Sequence, residues 1–209
     1  MPADPDLPQL PPGAFAKEDG GDDAAFYAFP RLVTHIDDAA IAALSAFYRQ
    51  VLPPDGVVLD LMSSWVSHLP EGVHYAEVIG HGMNAEELAA NPRLSRFFTA
   101  DFNRDPGLPL ADASVDAAMM CVSVQYLQRP VALLSEVARV LRPGGPVVIS
   151  FSNRRFPTKA VAVWLALGGA GHAELVETYL RAAGFAEVSA HRLVDGRISD
   201  PMTAVVGRR

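Results

Sequence analysis

The chain has 209 residues, half of them hydrophobic, with a formal net charge of −7 and a single cysteine. That length fits one ordinary domain with enough apolar material for a sizeable core. The acidic balance argues against a nucleic-acid scaffold, one cysteine excludes an intramolecular disulfide, and six scattered histidines make no zinc-binding spacing.

Residues 1–24 are rich in Pro, Asp and Gly and are expected to be disordered or draped over the domain. They show neither the basic start nor the apolar run of a secretory signal, and no later segment is apolar enough to span a bilayer, so the expected location is cytoplasmic and no membrane partner is expected. Phe26-Tyr27-Ala28-Phe29-Pro30 reads as an arm docked on the core or as a lid on a ligand pocket. Asp37 to Leu52 reads as a helix, with Ile41, Leu44, Tyr48 and Val51 on one face and Pro53-Pro54-Asp55-Gly56 as its stop. Val57–Met62 is a short apolar run between turn signals, the pattern of a buried strand. A second strand is expected around Ala76–Ile79, a helix over Ala85–Ala90 and a short strand at Phe97–Thr99.

Val115–Val122 is the candidate central strand, and Pro130–Leu141 an amphipathic helix with Leu134, Val137, Ala138 and Leu141 in helical register. Pro146–Phe151 is the next strand. Thr158–Leu167, apolar nearly all round, reads as a buried helix or a lid, and Glu174–Ala183 as a helix stopped by Gly184. Val188–Val194 and Thr203–Val206 are expected to close as a terminal strand pair. Strands alternating with helices imply right-handed crossovers and a parallel sheet, with ligands at the carboxyl ends of the strands. The expected fold class is therefore α/β: a Rossmann-like, doubly wound, mostly parallel sheet with a terminal antiparallel strand pair.

Two segments carry a resemblance. Leu108-Pro109-Leu110 leads into Asp112-Ala113-Ser114-Val115-Asp116 and an apolar strand, and Glu136–Leu141 runs into Arg142-Pro143-Gly144-Gly145. With this spacing the chain resembles the class I S-adenosylmethionine-dependent methyltransferases, and within them the group called methyltransferase type 11. The resemblance covers Val57 to Phe151 well and extends weakly to the end; with the composition of the N-terminus it suggests an arm over 1–30, partly disordered or docked, and a methyltransferase-like domain over 31–209. It implies S-adenosylmethionine as cofactor and, through its positions, a set of cofactor residues: Asp60, Met62, Ser63 and Ser64 after the first strand, Gly82, Met83 and Asn84 after the second, Asp101, Phe102 and Asn103 after the third, and Cys121 and Val122 at the end of the fourth.

The chain departs from the family at two of these places. Met62-Ser63-Ser64-Trp65-Val66 stands where the family has a glycine-rich turn. Glycine permits positive φ and close ligand approach, and Met, Trp and Val are not expected to. Gly82 stands where an acid normally grips the ribose hydroxyls; His81 or Asn84 are possible substitutes, and Asn84 equally reads as the cap of the helix that follows. Asp101 matches the residue that accepts from the adenine amino group. A base, where the acceptor needs one, is sought among His35, His68, His81 and Tyr126, with His81 and Tyr126 best placed; Arg154, Arg155 and Lys159 offer cations at the same edge of the sheet. The expected function is methyl transfer to a small molecule. The alternative is a catalytically inactive methyltransferase-like module that binds a ligand or partner, an alternative suggested by the two altered motifs.

Overall fold

A computed structural model describes residues 6–209; the part of the arm over 1–5 lies outside the described residues. Seven strands form one sheet in the order β3-β2-β1-β4-β5-β7-β6: β1 Val57–Leu61, β2 Glu77–Gly82, β3 Arg96–Thr99, β4 Ala117–Cys121, β5 Pro146–Phe151, β6 Glu187–Val194 and β7 Met202–Arg208. The first five are parallel; β7 runs antiparallel to β5, and β6 antiparallel to β7. Strand order reverses between β1 and β4, so the chain leaves neighbouring strands toward opposite sides and opens a crevice at their carboxyl ends.

The central strands β1, β4 and β5 are nearly wholly buried because both sheet faces are covered there, whereas the edge strands β3 and β6 are largely exposed. Leu59, Leu61, Ala118, Met120, Val147 and Ile149 face α4 (Pro130–Val140) and α6 (Gly169–Ala182). Val58, Ala117, Met119 and Val148 face α2 (Asp38–Val51), whose Ala40, Leu44 and Tyr48 are buried. Asp37 caps α2 by accepting from the Ala40 N–H at 2.9 Å, and Gly184 ends α6 at φ 91°.

The arm is woven into the first face. Leu7 and Phe15 are buried there, and the Phe15 ring lies 6.0 Å from that of Tyr179. Its backbone accounts for the one helix expected in a single piece that the structure divides. Thr158–Leu167 becomes a 3₁₀ turn at Pro157–Lys159, an extended link through Ala160 and Val161, and α5 over Ala162–Ala166. Val161 bridges antiparallel to Lys17, the Val161 N–H donates to the Gln125 carbonyl, and Ala162 and Val163 donate to Ala16 and Ala14. Those long-range bonds claim groups that a continuous helix would use internally. Lys159 is pulled inward, 1 % exposed, between Asp19 at 3.0 Å and Asp23 at 3.1 Å, while Lys17 reaches Asp23 at 2.5 Å. Lys159 is therefore a buried ion-pair partner of the arm and not a cation of the pocket rim.

Candidate active site

The crevice over β1, β2 and β4 is a cavity of about 360 Å³, within the ~300–1,000 Å³ span of small-molecule sites. All twelve residues carried over from the resemblance, Asp60 to Val122, line it, and so do His81 and Tyr126. The arm contributes Asp23 and Tyr27 to its lining, the segment that follows the arm His35, and α3 (Ala85–Ala90) Glu87.

The turn after β1 is built without glycine. Met62 takes φ 51°, contrary to the expectation for a side chain of that size. Its N–H donates to His81 Nδ1 at 3.2 Å, and Ser63 N–H donates to the His81 carbonyl at 2.6 Å, so β2 holds the turn in place. Val122, after β4, also sits in the left-handed region at φ 48°, fixed by its N–H on the Ser150 carbonyl at 2.8 Å. A β-branched residue there stores on the order of 1–3 kcal/mol.

His81 is 1 % exposed and stacks on Phe102, ring centroids 3.7 Å apart. Nδ1 accepts from Met62, so Nε2 carries the proton and donates to the Ala100 carbonyl at 3.1 Å. Burial pushes the imidazole down to about 4, with the Ala100 bond pulling the other way. A neutral ring with both nitrogens committed ties the ends of β1, β2 and β3 together and has none left for a substrate proton. Tyr126 is similarly engaged: its hydroxyl accepts from the Phe156 N–H at 2.8 Å, and burial raises its pKa.

Asn84 is the cap of α3. Its Oδ1 accepts from the N–H groups of Glu86 and Glu87 at 2.9 and 3.1 Å, and its Nδ2 donates to the carbonyls of Tyr27 and Ala28. Asn84→Ala is expected to lower stability by about 1 kcal/mol through the lost cap. Amide exchange should quicken over residues 27–31 in the same variant, because two carbonyls of the arm lose their donor.

The acids of the site are held by successive serines. Ser63 Oγ donates to Asp60 Oδ2 at 2.6 Å, and Ser64 Oγ donates to Glu87 Oε2 at 2.6 Å. Burial of Asp60 pushes its carboxyl up to about 7 against the pull of the serine bonds. Asp101 accepts from the Asn103 N–H at 2.9 Å and keeps part of its carboxylate exposed. Burial raises the Cys121 thiol to about 12, which makes it a packing residue rather than a nucleophile. The Ser123 hydroxyl is buried on the cavity wall and has no hydrogen-bond partner among the described residues.

The site also contains Glu87, which sequence reading passed over. Glu87 had a signal, since Asn84-x-x-Glu87 has the spacing of a capping box. Its side chain turns away from the cap and reaches Ser64 and the Arg31 N–H instead. His35 and His68 make no hydrogen bond among the described residues, both line the cavity, and burial lowers both, His68 to about 4. Arg154 pairs with Asp200 at 2.9 Å, whereas Arg155 makes no ion pair among the described residues.

Residues 65–149 match the family described as a methyltransferase domain. Over 153 residues the chain is 28 % identical to malonyl-[acyl-carrier protein] O-methyltransferase of Hahella chejuensis, covering 70 % of this chain and 53 % of that one. Over 87 residues it is 36 % identical to the enzyme of the same name from Methylococcus capsulatus, covering 39 % and 32 %. The chain thus spans about half or less of the length of these curated relatives. A Haloferax volcanii structure, a complex with the Trm112 methyltransferase activator, superposes with a TM-score of 0.63 at 18 % identity, over 82 % of this chain and 90 % of that one. Sheet order and crevice are those of the Rossmann-like methyltransferase fold. The chain is thus similar to the class I S-adenosylmethionine-dependent methyltransferases in fold and, over residues 65–149, in sequence. No helix among the described residues is long and apolar enough to cross a membrane.

Proposed function

We propose that this chain transfers a methyl group from S-adenosylmethionine to a small acceptor. The observation that carries the reading is the convergence of four strand ends on one cavity at the point where strand order reverses. The residues present suit the cofactor. Ser123 offers an unsatisfied buried hydroxyl, Asp60 a carboxyl poised to ionise beside an ammonium, and Asp101 with Phe102 a polar acceptor and an aromatic face for adenine. The cofactor supplies an electrophilic methyl on a sulfonium; the protein orients it, aligns the acceptor and excludes water.

Under this reading His81 positions the β1 turn and the adenine wall, and the proton-accepting role moves to His35 and His68. Both line the cavity, neither makes a hydrogen bond among the described residues, and burial favours the neutral form of each. Arg155 on the same rim suits an acceptor that carries an anionic group. The curated relatives are named for malonyl-[acyl-carrier protein], and a carboxylate acceptor, free or carrier-linked, fits that guanidinium.

Calorimetric titration with S-adenosylmethionine and S-adenosylhomocysteine tests the reading. Micromolar binding is expected, weakened about tenfold or more in Asp101→Ala through loss of a charge-assisted hydrogen bond. A folded protein that binds neither ligand would support the inactive module, in which the closed β1 turn serves packing alone.

A further inference from the structure

Gly82 ends β2 at the place where the family carries its ribose acid, and no side chain fits there. A Cβ on Gly82 would lie 2.6 Å from the Ser63 carbonyl oxygen and 3.2 Å from a Leu88 methyl. That carbonyl cannot swing away freely, because the Ser63 N–H is bonded to the His81 carbonyl at 2.6 Å and the Met62 N–H to the His81 ring. The turn has closed over the space from which a strand-borne acid would reach the ligand.

A carboxylate nevertheless lines the cavity nearby. Glu87 comes from α3, one turn beyond Gly82. Oε2 accepts from Ser64 Oγ and Oε1 from the Arg31 N–H, each at 2.6 Å. Glu87 makes no ion pair among the described residues. An ionised carboxylate has about four acceptor positions, so two remain after these bonds. A half-buried carboxyl group with spare acceptor capacity and no ion-pair partner among the described residues is best completed by hydroxyl donors of a ligand. The Ser63–Ser64 pair then has a chemical reason: one serine holds the acid at the end of β1, and the next holds the acid from α3.

We propose that Glu87, steadied by Ser64, is the residue that binds the ribose hydroxyls of the cofactor in this chain, in place of the missing acid at position 82. The assignment rests on the cofactor reading above. Because Glu87 also receives the Arg31 N–H, ribose binding and seating of the arm share one side chain.

The test is a two-by-two comparison by calorimetry on the full chain. S-adenosylhomocysteine and its 2′,3′-dideoxy analogue are titrated into the wild type and into Glu87→Gln, with thermal melting to show that the variant is folded. In the wild type, removal of the hydroxyls is expected to weaken binding by about tenfold or more, the scale of hydrogen bonds to a charged group. In Glu87→Gln the parent ligand binds about tenfold more weakly, and the penalty for removing the hydroxyls shrinks to about twofold. A carboxylate that only anchors the arm would weaken both ligands by the same factor and leave the hydroxyl penalty intact, which overturns the assignment alone. Wild-type protein that is folded but binds neither ligand overturns the cofactor reading and the assignment with it.

Discussion

Asp60→Asn is expected to stabilise the ligand-free protein at pH 8 while removing most of its affinity for S-adenosylhomocysteine. Asp60 is 3 % exposed, and burial holds its carboxyl near 7 where an unfolded chain would have 3.8. A group whose folded pKa is raised binds its proton more tightly in the folded state. Its contribution to stability is complete below the unfolded pKa and is lost as pH climbs through the folded one. At about 1.4 kcal/mol per unit, the advantage of the Asn variant over the wild type should grow by about 3 kcal/mol between pH 5 and pH 8. Urea unfolding of both proteins at the two pH values checks this. The comparison has to be a difference, because His35, His68 and His81 have lowered pKa values and act in the opposite direction. Their contribution rises as pH passes upward through the ordinary histidine range. An advantage that does not change with pH would mean that Asp60 is ionised throughout.

The ligand reverses the sign. An ammonium group placed beside Asp60 favours the carboxylate, so binding releases a proton. Affinity of the wild type for S-adenosylhomocysteine should therefore rise about tenfold from pH 6 to pH 8, and the variant should show no such rise. Under the proposed cofactor reading, the cost of the buried carboxylate is offset when the ligand's ammonium group is placed beside it.

Gly82→Asp should fail as a repair. It restores the residue type that the family carries at the end of β2, yet its Cβ meets the Ser63 carbonyl before the carboxylate is reached. Moving that carbonyl breaks the Ser63–His81 backbone bond and disturbs the Met62 turn. Overpacking of this kind lowers stability by about 1–3 kcal/mol. For a chain of this size the melting temperature should fall by roughly 3–10 °C. Gly82→Ala should lose nearly as much, since the clash begins at Cβ, and neither variant should bind S-adenosylhomocysteine more tightly. A Gly82→Asp variant of unchanged melting temperature and improved affinity would show that the β1 turn yields easily and that the space beside Gly82 is available.

The architecture was legible because its signals are local. Apolar runs such as Val57–Leu61 and Pro146–Phe151 mark strands covered on both faces, and the 3.6-residue spacing of Leu134, Val137 and Leu141 marks a helix with one buried side. Alternation of the two, with Pro143-Gly144-Gly145 between α4 and β5, implies parallel crossovers, and parallel crossovers put the strand ends on one edge. The candidate residues meet in one cavity for that topological reason.

Roles within the cavity depend on partners far along the chain, and no local pattern encodes them. His81 is placed as well as a base should be, but it is spent on Met62 and Ala100, each 19 residues away. Asn84 was open between cap and ligand; the structure makes it the cap and adds the Tyr27 and Ala28 carbonyls, 57 and 56 residues distant. The expected helix at Thr158–Leu167 gives way because Ala14, Ala16 and Lys17 compete for its backbone. Met62 holds a left-handed conformation that its own side chain disfavours, since neighbouring β2 over-determines it. The amino-acid sequence by itself determined the sheet, its crevice and the family the chain resembles, since periodicity and turn chemistry act over a few residues. Only the tertiary structure decided which acid, which imidazole and which hydroxyl remain free to meet a ligand, since a polar group becomes available or spent through hydrogen bonds that folding alone brings together.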